Sequence, residues 1–157
     1  MLATHHLLIY LKKMIYKKSK LIKSILRDKD KRGSIVSIVN HQSSNVSIIT
    51  CNKGSIRSNH YHLKDWHYIY VLKGMINYFY CDLKKTKINY IVVNTFETIF
   101  TPPKEIHATH FPVNTELLVI SKNKRNKTIY ERDTVRVEFI NKKNISRYIN
   151  NVSKKNK

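Results

Sequence analysis

The sequence predicts an all-β domain, a sandwich or barrel of short antiparallel strands. Ten β-rich runs follow one another at roughly 8–12-residue spacing, separated by turn-like residues. No helical period intervenes between them, which disfavours a parallel sheet with crossover helices. Apolar residues make up 41% of the chain, enough to bury a core, and the three glycines and three prolines are so few that each one marks a particular turn.

Residues 1–32 read as a basic amphipathic helical extension. Leu7, Leu8, Leu11, Ile15, Leu21, Ile22 and Ile25 recur at near-helical spacing with lysines between them. The charges follow the short apolar run, which is not the order of a secretory leader. This extension is expected to pack on the domain or on a partner, with a membrane surface as the alternative. No stretch is long and apolar enough to cross a bilayer. The charged break Arg27–Arg32, closed by Gly33, ends the segment.

Strands are expected over Ser34–Val39, Val46–Cys51, Ile56–His62, His67–Leu72, Met75–Cys81, Lys87–Val93, Thr98–Thr101, His107–Phe111, Glu116–Ser121 and Val135–Ile140. β-branched and aromatic residues dominate these runs. Residues 33–140 thus form the β-domain, and 141–157 a basic, peripheral tail.

The net charge of +20 suggests an anionic partner. Residues 1–32 carry ten basic and two acidic residues, and 141–157 carry six basic and no acidic ones. Fourteen basic against eight acidic residues remain for the middle, so most of the excess lies in the two ends. The middle also lacks the interleaved basic and aromatic pattern of an RNA-binding sheet. No specific nucleic-acid partner is expected. The charge fits solubilising tails, or a small anion such as a phosphate or nucleotide-sugar. Cys51 and Cys81 form no CxxC pair and read as buried apolar residues of a reduced, cytoplasmic protein.

Histidine carries the chemistry. His60 and His62 are two apart in a strand-like run, so both rings point to one face. His67 opens the next strand after a short turn, where a hairpin would return it to the same place. His107 follows Pro102 and Pro103, which stiffen the turn before it. Imidazole suits zinc, iron and nickel, so His60, His62, His67 and His107 are candidate ligands of one divalent ion.

From Gly54 through His60, His62 and His67 to Gly74 the sequence resembles the first cupin motif. That motif places HxH between two glycines, with a glutamate where this chain has His67. Phe96 to Phe111 resembles the second motif. Pro102 and His107 are in place, but Phe96 and Lys104 stand where the family has glycine, and Phe111 where it has asparagine. The resemblance implies a double-stranded β-helix, the jelly-roll barrel of the cupins, over residues 33–140. It also implies one metal ion (zinc, iron, manganese or nickel) and a homodimer.

Within the cupins, the run before Gly33, the Arg57-Ser-Asn-His60 core and the Asp133–Val137 run look like small members of sugar and polysaccharide biosynthesis. These include nucleotide-sugar epimerases and ketoisomerases. That resemblance implies proton abstraction beside a carbonyl. His110 is the expected base, or a histidine of the ligand set if no metal is bound. Tyr70 or Tyr80 is expected to return the proton, while Arg57, Trp66 and Phe100 contact the substrate. Strict alternation puts Arg57 on the face opposite His60 unless a bulge redirects it. The alternatives are a metal-dependent dioxygenase and a non-catalytic binder of carbohydrate or another small molecule.

Overall fold

The computed structural model describes residues 16–153. Two five-stranded antiparallel sheets face each other as a sandwich. The first contains β1 (Lys20–Ile22), β9 (Thr98–Thr101), β6 (His67–Lys73), β11 (Thr115–Ser121) and β4 (Asn45–Cys51), in that spatial order. The second contains β12 (Thr134–Arg136), β5 (Ile56–His62), β10 (Ile106–His110), β7 (Met75–Cys81) and β8 (Asn89–Asn94). A separate hairpin joins β2 (Ile25–Asp30) to β3 (Gly33–Ser37). The two sheets stay open instead of closing into the expected barrel.

Alternation sorts each strand between an inner and an outer face. Ile69, Val71, Leu117 and Val119 of one sheet meet Ile76, Tyr78 and Val93 of the other in the main core. The outer face of the second sheet presents Phe79, Cys81, Ile106 and Ala108, covered by Phe139 and Ile140 and by α2 (Ile145–Ser153) through Ile145 and Tyr148. The expected peripheral tail from 141 onward therefore packs on the domain through Ile145, Tyr148 and Ile149. The outer face of the first sheet carries Trp66, Tyr68 and Phe100. Cys51 and Cys81 are buried and unpaired.

The helical reading of 1–32 fails over its described part. Residues 1–15 lie outside the described residues. From residue 16 onward the segment forms β1 and the hairpin instead. β1 pairs antiparallel with β9, Lys20 opposite Phe100 and Ile22 opposite Thr98, and Ile22 packs on the Trp66–Tyr68–Phe100 cluster. A free sheet edge supplied partners that the local apolar period could not anticipate. The β-structure thus begins before residue 33. A second element absent from the sequence reading is the short helix α1 (Lys127–Asp133), whose first turn is capped by the Asn126 side chain accepting from Ile129 N at 2.9 Å.

β5 is bent by a bulge at Ser58 and Asn59, where φ is +67° and +54° and the pairing with β10 slips between His107 and Ala108. Asparagine tolerates this conformation better than most residues. The Asn59 amide also grips the C-terminal segment: Nδ2 donates to Ile140 O at 2.9 Å, and Ile140 N donates to Oδ1 at 2.9 Å. Asn59→Ala removes both bonds and is expected to cost about 2–3 kcal/mol, at roughly 1 kcal/mol per bond plus the added backbone strain. Urea denaturation measures this, and an unchanged midpoint would show that the grip carries no energy.

Candidate functional site

Four imidazoles meet at one end of the interior. β5 supplies His60 and His62, β10 supplies His107, and β6 brings His67 from the opposite sheet. His60 lies directly across from His107 in the strand register. Ring centroids are 4.7 Å apart for His60–His62 and for His60–His107, 5.2 Å for His67–His107 and 5.4 Å for His62–His67. The expected hairpin between β5 and β6 does not form; the chain crosses from one sheet to the other, so His67 arrives face to face.

The ring nitrogens divide the four. Ligand atoms of His60, His62 and His107 lie within 4.8 Å of one another, and those of His62, His67 and Asp65 form a second such group. His107 Nδ1 donates to Glu105 O at 3.2 Å, and its Nε2 is buried without a partner. His62 Nδ1 lies 3.4 Å from Asp133 Oδ2 and 3.3 Å from the Thr134 hydroxyl, and its Nε2 is likewise unpartnered. An orphaned imidazole nitrogen inside a protein calls for an ion, a water or a substrate.

Burial keeps these rings neutral. Desolvation pushes His60 down to about 4, with Arg125 adding to it, and His62 down to about 3, with His60 and Arg125 adding. It holds His67 and His107 well below the ordinary histidine value, and the neighbouring rings reinforce this. Neutral imidazole is the metal-binding form.

Beside the rings is a cavity of about 200 Å³, lined by Arg57, Arg125, Arg136, Thr109 and Tyr130 together with His60, His67 and His107. The bulge turns Arg57 to the inner face, opposite Thr109 in the register, which strict alternation would forbid. Arg57 and Arg136 are exposed at the rim and Arg125 is half-buried. Asp133, at the end of α1, accepts from Lys64 N at 2.8 Å and Asp65 N at 3.1 Å. It anchors the helix whose Tyr130 ring stands 6.3 Å from His60 and 5.8 Å from His62.

Behind His107, Tyr78 stacks on its ring at 6.1 Å and shares hydrogen bonds with Thr101 and Ser19. Ser19 N donates to the Glu105 carboxylate at 2.9 Å, and burial pushes that carboxyl up to about 7.

Several expected site residues lie elsewhere. His110 is on the outer face of its strand, with Nδ1 3.0 Å from Asn77 Nδ2, and does not reach the cavity. Tyr70 alternates outward from His67 and faces Phe96. Trp66 and Phe100 belong to the outer cluster of the first sheet. Tyr80 points inward but packs beside Tyr78 on the core, away from the cavity lining. Arg125, Thr109 and Tyr130 were not singled out by the sequence reading. Arg125 and Tyr130 sit in a stretch with no strand alternation, and the Asn126 cap was the one local signal.

A sugar 3,4-ketoisomerase from Helicobacter canadensis shares this architecture over 77% of the present chain and 92% of its own, with a TM-score of 0.64 and 17% identity. The chain has the cupin fold. The sugar 3,4-ketoisomerase QdtA from Thermoanaerobacterium thermosaccharolyticum, solved with TDP, superimposes on this chain with a TM-score of 0.61 and 20% identity, covering 90% and 98% of the two chains. A dTDP-4-dehydrorhamnose 3,5-epimerase from Bacillus anthracis gives 0.63 and 16%, covering 83% and 85%. No family model matches the sequence of this chain, and no curated protein does.

Proposed function

We propose that this cupin binds a nucleotide-sugar at the histidine cavity together with one divalent metal ion, and moves a proton on the carbon beside the sugar's keto group. The observation that carries this is the pair of unpartnered Nε2 atoms of His62 and His107, grouped with His60, where His60 and His107 line a cavity rimmed by arginines. Neutral imidazoles from two adjacent strands fit zinc, iron, manganese or nickel, and His60, His62 and His107 would hold the ion. Bound there, it supplies positive charge for an oxygen that becomes negative as the enolate forms.

The chain's own groups supply the rest. A cavity of about 200 Å³ is smaller than the roughly 300–1,000 Å³ of sites that enclose drug-sized ligands, so it takes the sugar ring and leaves the nucleotide at the rim. There Arg57 suits a diphosphate, and Arg136, paired with Glu131 at 2.7 Å, stands at the same rim. QdtA variants were solved with TDP and with TDP-4-keto-6-deoxyglucose, which supports this ligand class. Tyr130 takes the proton-returning place first assigned to Tyr70 or Tyr80. The apolar side chains that the β2–β3 hairpin exposes, Ile25, Leu26, Ile35 and Val36, support pairing with a second copy.

A second reading has its own observation. With Asp133 against Nδ1 of His62, the free Nε2 has the arrangement of a general base, and this reading needs no ion.

The test is elemental analysis of untagged protein beside turnover of TDP-4-keto-6-deoxyglucose. About one metal per chain is expected, lost in a His60→Ala, His62→Ala double variant, with isomerised sugar detected by NMR. Turnover without metal selects the His62–Asp133 reading. Bound iron with oxygen uptake and no isomerisation selects a dioxygenase, and binding without turnover a non-catalytic protein.

A further inference from the structure

Arg125 follows β11 and reaches back to His67. Its guanidinium lies 3.0 Å from Asp65 Oδ2, 3.4 Å from His67 Nδ1 and 5.1 Å from the Tyr130 ring. Asp65 is itself fixed, because it is buried and accepts from Asn123 N at 2.9 Å.

A guanidinium has donors only. His67 Nδ1 therefore accepts from it, and the single proton of the neutral ring sits on Nε2. A protonated nitrogen has no lone pair to give a metal. His107 is set the opposite way, since its Nδ1 donates to Glu105 O and leaves Nε2 bare. Two tautomers of opposite sense thus face one cavity. His67 stands outside the close group of His60, His62 and His107; in its own group with His62 and Asp65, Arg125 already occupies both the Asp65 carboxylate and His67 Nδ1.

We propose that His67 is not a fourth metal ligand but a hydrogen-bond donor, through Nε2–H, to a keto or carboxylate oxygen of the bound substrate. Arg125 is the positioning residue that selects this tautomer, and Asp65 holds Arg125. This rests on the cavity being the substrate site, as proposed above. A neutral imidazole that donates to a carbonyl polarises it without surrendering its proton, which serves an enolate-forming reaction. The glutamate that the cupin motif places here would be an acceptor. Histidine with an arginine behind it reverses the polarity of that position.

The experiment uses histidine-selective ¹⁵N labelling and long-range proton–nitrogen spectra of the full chain, metal-free and zinc-loaded, with His67 assigned from His67→Gln. The expected result is His67 protonated on Nε2 in both states, with shifts that zinc leaves in place while His60, His62 and His107 move. Arg125→Met should mix the His67 tautomers, and Arg125→Lys, which keeps a donor, should restore them. His67→Gln should retain zinc, whereas loss of a true ligand should weaken binding by at least about 100-fold, the upper end of what even outer partners of a metal site cost.

A His67 nitrogen that moves on zinc loading, or zinc lost in His67→Gln, overturns the proposal. Should the wild type take up no zinc, the metal reading falls. The tautomer in the metal-free protein and its dependence on Arg125 still decide the role of His67.

Discussion

Gly74→Ala is expected to destabilise the fold by about 2–5 kcal/mol. Gly74 links β6 to β7, where the chain passes from one sheet to the other between His67 and Tyr78. Its φ is +90°, and a Cβ there would meet Thr115 Oγ1 at 2.5 Å, Asn114 O at 2.7 Å and Thr115 Cα at 2.9 Å. Two of these three atoms are backbone. The hydroxyl is tied as well, accepting from Met75 N at 3.3 Å and donating to Met75 O at 3.1 Å.

The left-handed backbone costs about 1–2 kcal/mol with a side chain, and overpacking about 1–3 kcal/mol more. A loss of about 2–5 kcal/mol is a large part of the roughly 5–15 kcal/mol that holds a domain together. Gly54→Ala is the control: φ is +78°, but nothing lies within 4 Å of the added atom. Urea midpoints should fall much further for Gly74→Ala than for Gly54→Ala. Equal midpoints would mean that the crossing between sheets yields to the methyl group.

Metal-free protein should also lose stability steeply as pH falls from 7 towards 4. In the unfolded chain a histidine takes up its proton near pH 6.5. In the fold burial delays this to about 4 for His60 and about 3 for His62, and well below the ordinary value for His67 and His107. Between those pH values the unfolded state binds more protons, so stability declines as pH decreases.

At about 1.4 kcal/mol per pH unit, His60 alone accounts for a loss on the order of 3 kcal/mol. Glu105 acts in the opposite sense: its carboxyl, raised by burial to about 7, destabilises the fold above that pH and ceases to do so below about 4.5. Asp65, whose carboxyl burial also raises, acts in the same sense, and these two carboxyls against four imidazoles do not reverse the trend. Thermal unfolding after chelator treatment, from pH 8 to 4, would show a falling Tm. The fall should shrink in a His60→Gln, His62→Gln variant. A flat profile would mean that the rings are solvated.

Where period-2 alternation was intact, the sequence placed side chains correctly. His60, His62 and His107 share an inner face, as their spacing requires. The bulge at Ser58 and Asn59 breaks that rule for Arg57, and nothing local announces it. The bulge is tied to Ile140, eighty-one residues away, through the Asn59 amide. The second cupin motif was half hidden because Phe96 and Lys104 replace its glycines. Both residues nonetheless hold positive φ, +68° and +59°, so the backbone keeps the shape while the letters change. Tyr70, Trp66 and Phe100 were assigned to the cavity on residue type, but aromatic residues also clad the outer surfaces of a sandwich, and alternation from His67 already turns Tyr70 away. β1 was misread because a three-residue edge strand draws its stability from its partner, β9, and not from its own composition.

The contact between Ser19 and Glu105 works like a stopper seated from outside. A version of this protein trimmed back to Gly33, the expected start of the β-domain, would keep all four imidazoles and still be uncorked. Glu105 would lose its N–H donor, Tyr78 its serine neighbour, and β9 would become a bare margin open to pairing with stray chains.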